Sequence, residues 1–166
     1  MRILKRKTIY IFQTLMILFI CIMTGCGSSS DSGKTGNISI DAPAICQEII
    51  DSGAFSETLN EVDNSYSDLV IGIGSDSFTS AVIYTGSGAT AEELSIIQVA
   101  EEKNTDYIAA KLNTHISNQA DAYAGYKPEE VDKINSAIIK KKGSYVILCV
   151  ANDKSTAEEI INKYFE

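Results

Sequence analysis

Ala137–Val150, AIIKKKGSYVILCV, is the stretch that decides the fold. Two extended segments, AIIKKK and SYVILCV, flank Gly143. β-Branched residues and Tyr145 favour a pleated backbone, and glycine supplies the reversal, so the stretch predicts a β-hairpin. Two more segments upstream have the same character, TSAVIYT at 79–85 and LSIIQVA at 94–100. They predict a second pair of strands.

Helical patterns lie between and around these pairs. Ala42, Ile45, Cys46, Ile49 and Ile50 recur at helical spacing over 42–52, with Asp41 as N-cap and Gly53 as terminator. A long helix is predicted over 104–124, capped by Asn104, with Ile108, Leu112, Ile116, Ala120 and Tyr123 on one face. Pro128 opens a short helix, PEEVDKIN, with acids in its first turn. The last helix spans about 153–165, capped by Asp153 or Ser155. Between 54 and 78 the pattern is weaker: an extended piece at 59–62, then one or two helical turns at 66–71. The expected class is α+β, one domain over residues 41–166. Its sheet should be small and mostly antiparallel, made of two hairpins, with helices packed mainly on one face.

The 166-residue chain carries a net charge of −8, unevenly spread. Arg2, Lys5, Arg6 and Lys7 fall in the first 25 residues, which hold no acid. Ten basic residues then stand against 22 acidic ones, a net charge of −12 for the remainder. Such an acidic chain repels phosphate, so no nucleic-acid partner is expected. The basic cluster precedes an apolar run from Thr8 to Met23, the pattern of a secretory signal. The run is short for a spanning helix.

Met23-Thr24-Gly25-Cys26 closes the run and resembles the lipobox of bacterial lipoprotein signals, with Met23 where leucine is usual. The resemblance implies diacylglyceryl attachment to the Cys26 thiol and cleavage before it. Residues 1–25 are then the signal peptide. Residues 26–40, with GSSSDSGKTG at 27–36, form a flexible tether. About 10 such residues have a root-mean-square span of about 17 Å. The expected location is the outer face of the cell membrane, with the membrane itself as partner through Cys26. An uncleaved signal anchor with an incidental cysteine gives the same side of the membrane.

Cys21 falls in the signal, which leaves Cys46 and Cys149 in the domain. An extracytoplasmic location permits a disulfide between them, and two buried thiols are the plainer alternative.

Three further groups of residues carry a family resemblance: Ala91-Glu92-Glu93; Tyr126, Pro128, Glu129 and Glu130; and Lys142, Gly143, Tyr145 and Val146. The chain resembles a bacterial family known as domain of unknown function 4358, strongly over 80–166 and more weakly back to about 55. Many members carry lipoprotein signals. The family has no established catalytic motif, so the resemblance implies boundaries and a location and no reaction.

The remaining motifs weigh toward structure. Gly86-Ser87-Gly88-Ala89-Thr90-Ala91 matches G-x-G-x-x-A, but a strand follows it and not the helix that a dinucleotide site needs. Asp63, Ser65, Ser67, Asp68 and Asp76 are oxygen-rich, but the spacing lacks the glycine and glutamate of an EF-hand. His115 is the only histidine, which excludes multi-histidine metal sites. As a general base it would need a serine or aspartate partner. Glu92–Glu93, Glu129–Glu130 and Glu158–Glu159 are adjacent pairs at element starts, not carboxylates facing across a cleft. Lys140, Lys141 and Lys142 should alternate on an edge strand, protecting it. No catalytic, metal or cofactor residue is therefore expected. The sequence points to a non-enzymatic envelope binding or accessory protein, with a small hydrolase or a small-ligand-binding lipoprotein as alternatives and an unidentified envelope protein as possible partner.

Overall fold

A computed structural model describes residues 38–166, which belong to one unit. The signal, Cys26 and most of the tether lie outside the described residues. In chain order the elements are α1 (Ala42–Asp51), β1 (Asn60–Glu61), α2 (Ser67–Ile71), β2 (Ser80–Thr85), β3 (Glu93–Gln98), α3 (Thr105–Tyr126), α4 (Val131–Asn135), β4 (Ile138–Lys142), β5 (Tyr145–Val150) and α5 (Lys154–Phe165). Short 3₁₀ turns precede α2, α3 and α4.

The class is α+β. Five strands form one antiparallel sheet in the order β1-β2-β3-β5-β4. The two hairpins, β2–β3 and β4–β5, join where β3 pairs with β5, Glu93 opposite Val150 and Gln98 opposite Tyr145. Gly143 and Ser144 make the β4–β5 turn. Gly143 sits at φ +54, a conformation that glycine adopts without strain.

The helices cover both faces of the sheet, where one face was expected. Tyr145, Ile147 and Cys149 of β5 join Ile45, Cys46 and Ile49 of α1 and Ala157, Ile161 and Phe165 of α5 in one core. Val146, Leu148 and Val150 point the other way. They meet Ile71 of α2 and Ile108 and Leu112 of α3 in a second core. Every residue of β5 is buried, as happens when a strand has cover on both sides.

Capping follows the sequence at two helices. Asp41 accepts from the Ala44 amide at 3.2 Å, and Asp153 from the Thr156 amide at 3.0 Å. Asn104 makes no side-chain cap. Thr105 instead bonds the Glu102 carbonyl of the preceding 3₁₀ turn at 2.7 Å. The lysine run alternates as an edge strand dictates. Lys140 and Lys142 reach the α5 end at Asn162 and Glu166, and Lys141 reaches Asp106 of α3. Ile38 lies over Gly143, so the chain enters the domain at the β4–β5 turn. The Gly86–Glu92 connection lies at the opposite end of the sheet, because Glu93 pairs with Val150 and not with Tyr145.

Candidate functional site

The far end of the sheet holds a buried polar seam. Its centre is Ala91-Glu92-Glu93, where the β2–β3 connection enters β3. Neighbouring glutamates on an extended backbone diverge, and these two serve different partners.

Glu92 has a fully buried side chain. Its Oε2 accepts from the Ser56 and Glu57 amides at 2.8 and 3.2 Å, and its Oε1 from Ser56 Oγ at 2.6 Å. Lys133 of α4 donates to the same Oε1 at 3.0 Å. Lys133 also meets Glu130 Oε2 at 3.0 Å, one helical turn back. Glu130 in turn accepts from the Ala91 amide at 3.0 Å. Burial alone would raise the Glu130 carboxyl. The Ala91 N–H and Lys133 outweigh it and hold the group below its ordinary value. For Lys133 burial favours the neutral amine, and the two carboxylates outweigh that, raising its pKa. Lys127 Nζ lies 3.7 Å from Glu130 Oε1 as a second cation, and the amides and Ser56 satisfy the remaining acceptor sites of the two carboxylates.

Glu57 returns the exchange. Its carboxylate accepts from the Ser87 amide at 3.1 Å, from Ser87 Oγ at 2.7 Å and from Thr90 Oγ1. These bonds, that from the Thr90 hydroxyl foremost, pull its pKa down to about 2. The carboxylate packs directly on Gly86: a Cβ there would fall 2.2 Å from Glu57 Oε1, so a side chain at 86 displaces it from these bonds.

Glu93 points to α3. Both of its oxygens lie 2.9 Å from His115 Nε2, and Gln119 Nε2 donates to Oε2 at 3.3 Å. The side chains of Glu93 and His115 are only 4% and 11% exposed. With Nε2 held by a carboxylate, that nitrogen carries the proton. One and two turns on, Tyr123 donates to the Thr90 carbonyl at 2.8 Å and Lys127 to the Ala89 carbonyl at 2.6 Å. The second half of α3 therefore binds the sheet through polar side chains, where an apolar face through Ile116, Ala120 and Tyr123 was expected; those three are only half-buried. Gln119 Oε1 and the hydroxyls of Ser67 and Ser95 lie buried without a partner among the described residues.

Chemically, the Glu93–His115 pair supplies an oriented imidazole, two parts of an acyl-transfer constellation. The neighbouring hydroxyl, Thr114 Oγ1, is bonded to the Ala110 carbonyl at 3.1 Å and offers no nucleophile to it. Glu92 and Glu130 are tied together by Lys133 and do not face a cleft. Glu129 is exposed, as is Glu159 on α5. Gly86–Ala91 links strand to strand, with Gly88 at φ +85. Asp63 caps a 3₁₀ turn through Ser65. Among the described residues no three acidic, histidine or cysteine side chains gather to hold a metal. None of the helices among them is long and apolar enough to cross a membrane. Cys46 and Cys149 are free, buried thiols in the same core. Burial, with Glu61 adding to it, pushes Cys46 up to about 12, and burial pushes Cys149 up too.

Sequence reasoning did not identify Lys133 and Glu57. Glu130 and Lys133 stand at i, i+3, a spacing that pairs opposite charges on a helix, so Lys133 had a signal. Glu57 had none, because its partners come 30 and 33 residues later.

Fold and site together define a small α+β domain whose strand β3 is fastened at one end by a buried carboxylate network. The chain belongs to the family described as Domain of unknown function (DUF4358), whose model matches residues 52–151. That span takes in Glu57, the 86–93 connection, all of α3 and Lys133. No curated protein and no solved structure matches the chain.

Proposed function

We propose that the chain is a lipoprotein anchored through Cys26 to the outer face of the cell membrane, where its domain acts as a non-enzymatic binding or accessory module. The observation that carries this reading is Met23-Thr24-Gly25-Cys26 at the end of a basic-then-apolar leader. Two acyl chains suffice for stable anchoring, where one is marginal. The Gly/Ser stretch at 27–36 then acts as a leash that concentrates the domain near the membrane. Ile38 lies over the β4–β5 turn, at the end of the sheet opposite the 86–93 connection. The non-enzymatic part is supported by how the domain uses its charged groups: Glu92, Glu130 and Lys133 are engaged in holding the fold. Tyr66, Leu69, Tyr107 and Tyr126 are exposed and offer contact surface.

The test is Cys26→Ala in the native host, followed by membrane fractionation and lipid labelling. The variant should lose label and either leave the membrane or accumulate unprocessed. Unchanged labelling and retention would sink the reading.

A further inference from the structure

We propose that the groove between α2 and α3 binds a small zwitterion of the amino-acid class, with Lys111 taking its carboxylate, Asp68 its ammonium, and Leu69 and Val70 its apolar body. The groove is open to solvent along one side and has a volume of about 320 Å³, at the small end of ligand sites. Asp68, Leu69 and Val70 line one wall, and Lys111, His115 and Asn118 the other.

Charges of both signs line this groove without meeting each other. The charges of the buried seam, Glu92, Glu93, Glu130 and Lys133, are by contrast all paired. Asp68 and Lys111 share one groove, yet among the described residues neither is in an ion pair, with the other or with anything else. Opposite charges that face one space without closing on each other match a ligand carrying both signs. Lys111 is held close to its helix, its Nζ 5.7 Å from the Tyr107 ring centroid, which limits its freedom before binding.

The floor is built, not merely solvated. His115 lines the groove while Glu93 fixes its Nε2, so the ring is oriented from beneath. Asn118 adds an amide with no partner among the described residues. Leu69 at the rim is 84% exposed, an uncovered aliphatic side chain beside polar groups. Gly72 ends α2 in the left-handed conformation at φ +71 and leaves that end of the groove without a side chain. A simple anion does not explain Asp68, and a simple amine does not explain Lys111. This site lies wholly within the domain and stands whether or not Cys26 carries lipid.

The experiment is equilibrium dialysis of the full chain in detergent against radiolabelled leucine, with isocaproate (no amine) and isoamylamine (no carboxylate) as comparison probes. Leucine should be retained saturably, at millimolar or tighter concentration. Asp68→Asn and Lys111→Met change exposed side chains and should leave the fold intact, which circular dichroism checks. Each should weaken leucine about tenfold, the effect of losing one charge-assisted contact. Asp68→Asn should leave isocaproate binding unmoved, and Lys111→Met that of isoamylamine. Absence of saturable retention overturns the proposal. So does retention that neither variant alters, or analogues that bind as tightly as leucine.

Discussion

Glu130 reaches back 39 residues to accept the Ala91 amide at 3.0 Å, and this bond joins two stretches that sequence alone leaves separate. The Ala91 N–H lies buried two residues before β3 begins and has no strand partner in the sheet. A buried amide left unpaired is costly, so something must accept from it. A carboxylate on the turn before α4 does so. Lys133 then neutralises that carboxylate and carries the connection on to Glu92. The helical segment after α3 is thereby fixed to the strand entry.

Lys133→Met should be strongly destabilising. It leaves Glu92 buried with amide and hydroxyl donors and no cation, and leaves Glu130 with Lys127 alone, 3.7 Å from its Oε1. Loss of one partner from a buried ion pair costs about 3 kcal/mol or more. With a urea m-value of about 2 kcal/mol/M, the midpoint should fall by about 1.5 M. Urea denaturation at neutral pH measures this. A shift within a few tenths of a molar would mean that the cation contributes little.

Glu57→Gln should change the pH dependence of stability. The folded-state pKa is about 2, below the ordinary 4.5. A depressed carboxyl pKa stabilises the fold above the unfolded value, and that contribution fades as pH falls through the folded one. The difference between wild type and Glu57→Gln should therefore be largest above about pH 4.5 and shrink toward pH 2. Thermal melts across that window test it. A difference that stays constant with pH would show that only shape, and not charge, matters at Glu57.

How much of this was legible follows from the range of each interaction. The strands and helices were readable because apolar spacing is local: Ile138–Val150 declares a hairpin, and Ala42–Ile50 a helix. The two-sided cover of the sheet was present in SYVILCV, a continuous apolar run of the kind that strands with cover on both faces show. The expectation of one covered face passed over that sign. The seam was legible only in fragments. Glu92, Glu93 and Glu130 stood out as residues of the family resemblance, but apart from the lysines one turn from Glu130 their partners come from 22 to 41 residues away and leave no periodic trace. His115 was weighed in the sequence only against a serine or aspartate partner, and the carboxylate that holds it, Glu93, comes from a strand 22 residues earlier.

His115 and Glu93 should show energetic coupling. His115→Leu strands a buried carboxylate with Gln119 alone, and Glu93→Leu leaves the imidazole without its orienting acceptor. Each single variant should cost about 2 kcal/mol. The double variant should cost less than the two together, with a coupling of about 1–2 kcal/mol in a double-mutant cycle. Additive single effects would show that the pair does not act as a unit.

The thiols provide a count that bears on both the core and the anchor. The chain has four cysteines. Cys46 and Cys149 are buried and free, with thiolates strongly disfavoured, so an aromatic disulfide reagent should react with neither in the folded domain near neutral pH. Their reaction should track unfolding, and the rate should climb with denaturant as the core opens. In denaturant, material purified from membranes should titrate two thiols. Cleavage removes Cys21, and a thioether to lipid blocks Cys26. Four thiols would mean that neither step has occurred, and none would mean that Cys46 and Cys149 are bridged. Fast reaction of either thiol in the native protein would contradict the packing of α1 against β5.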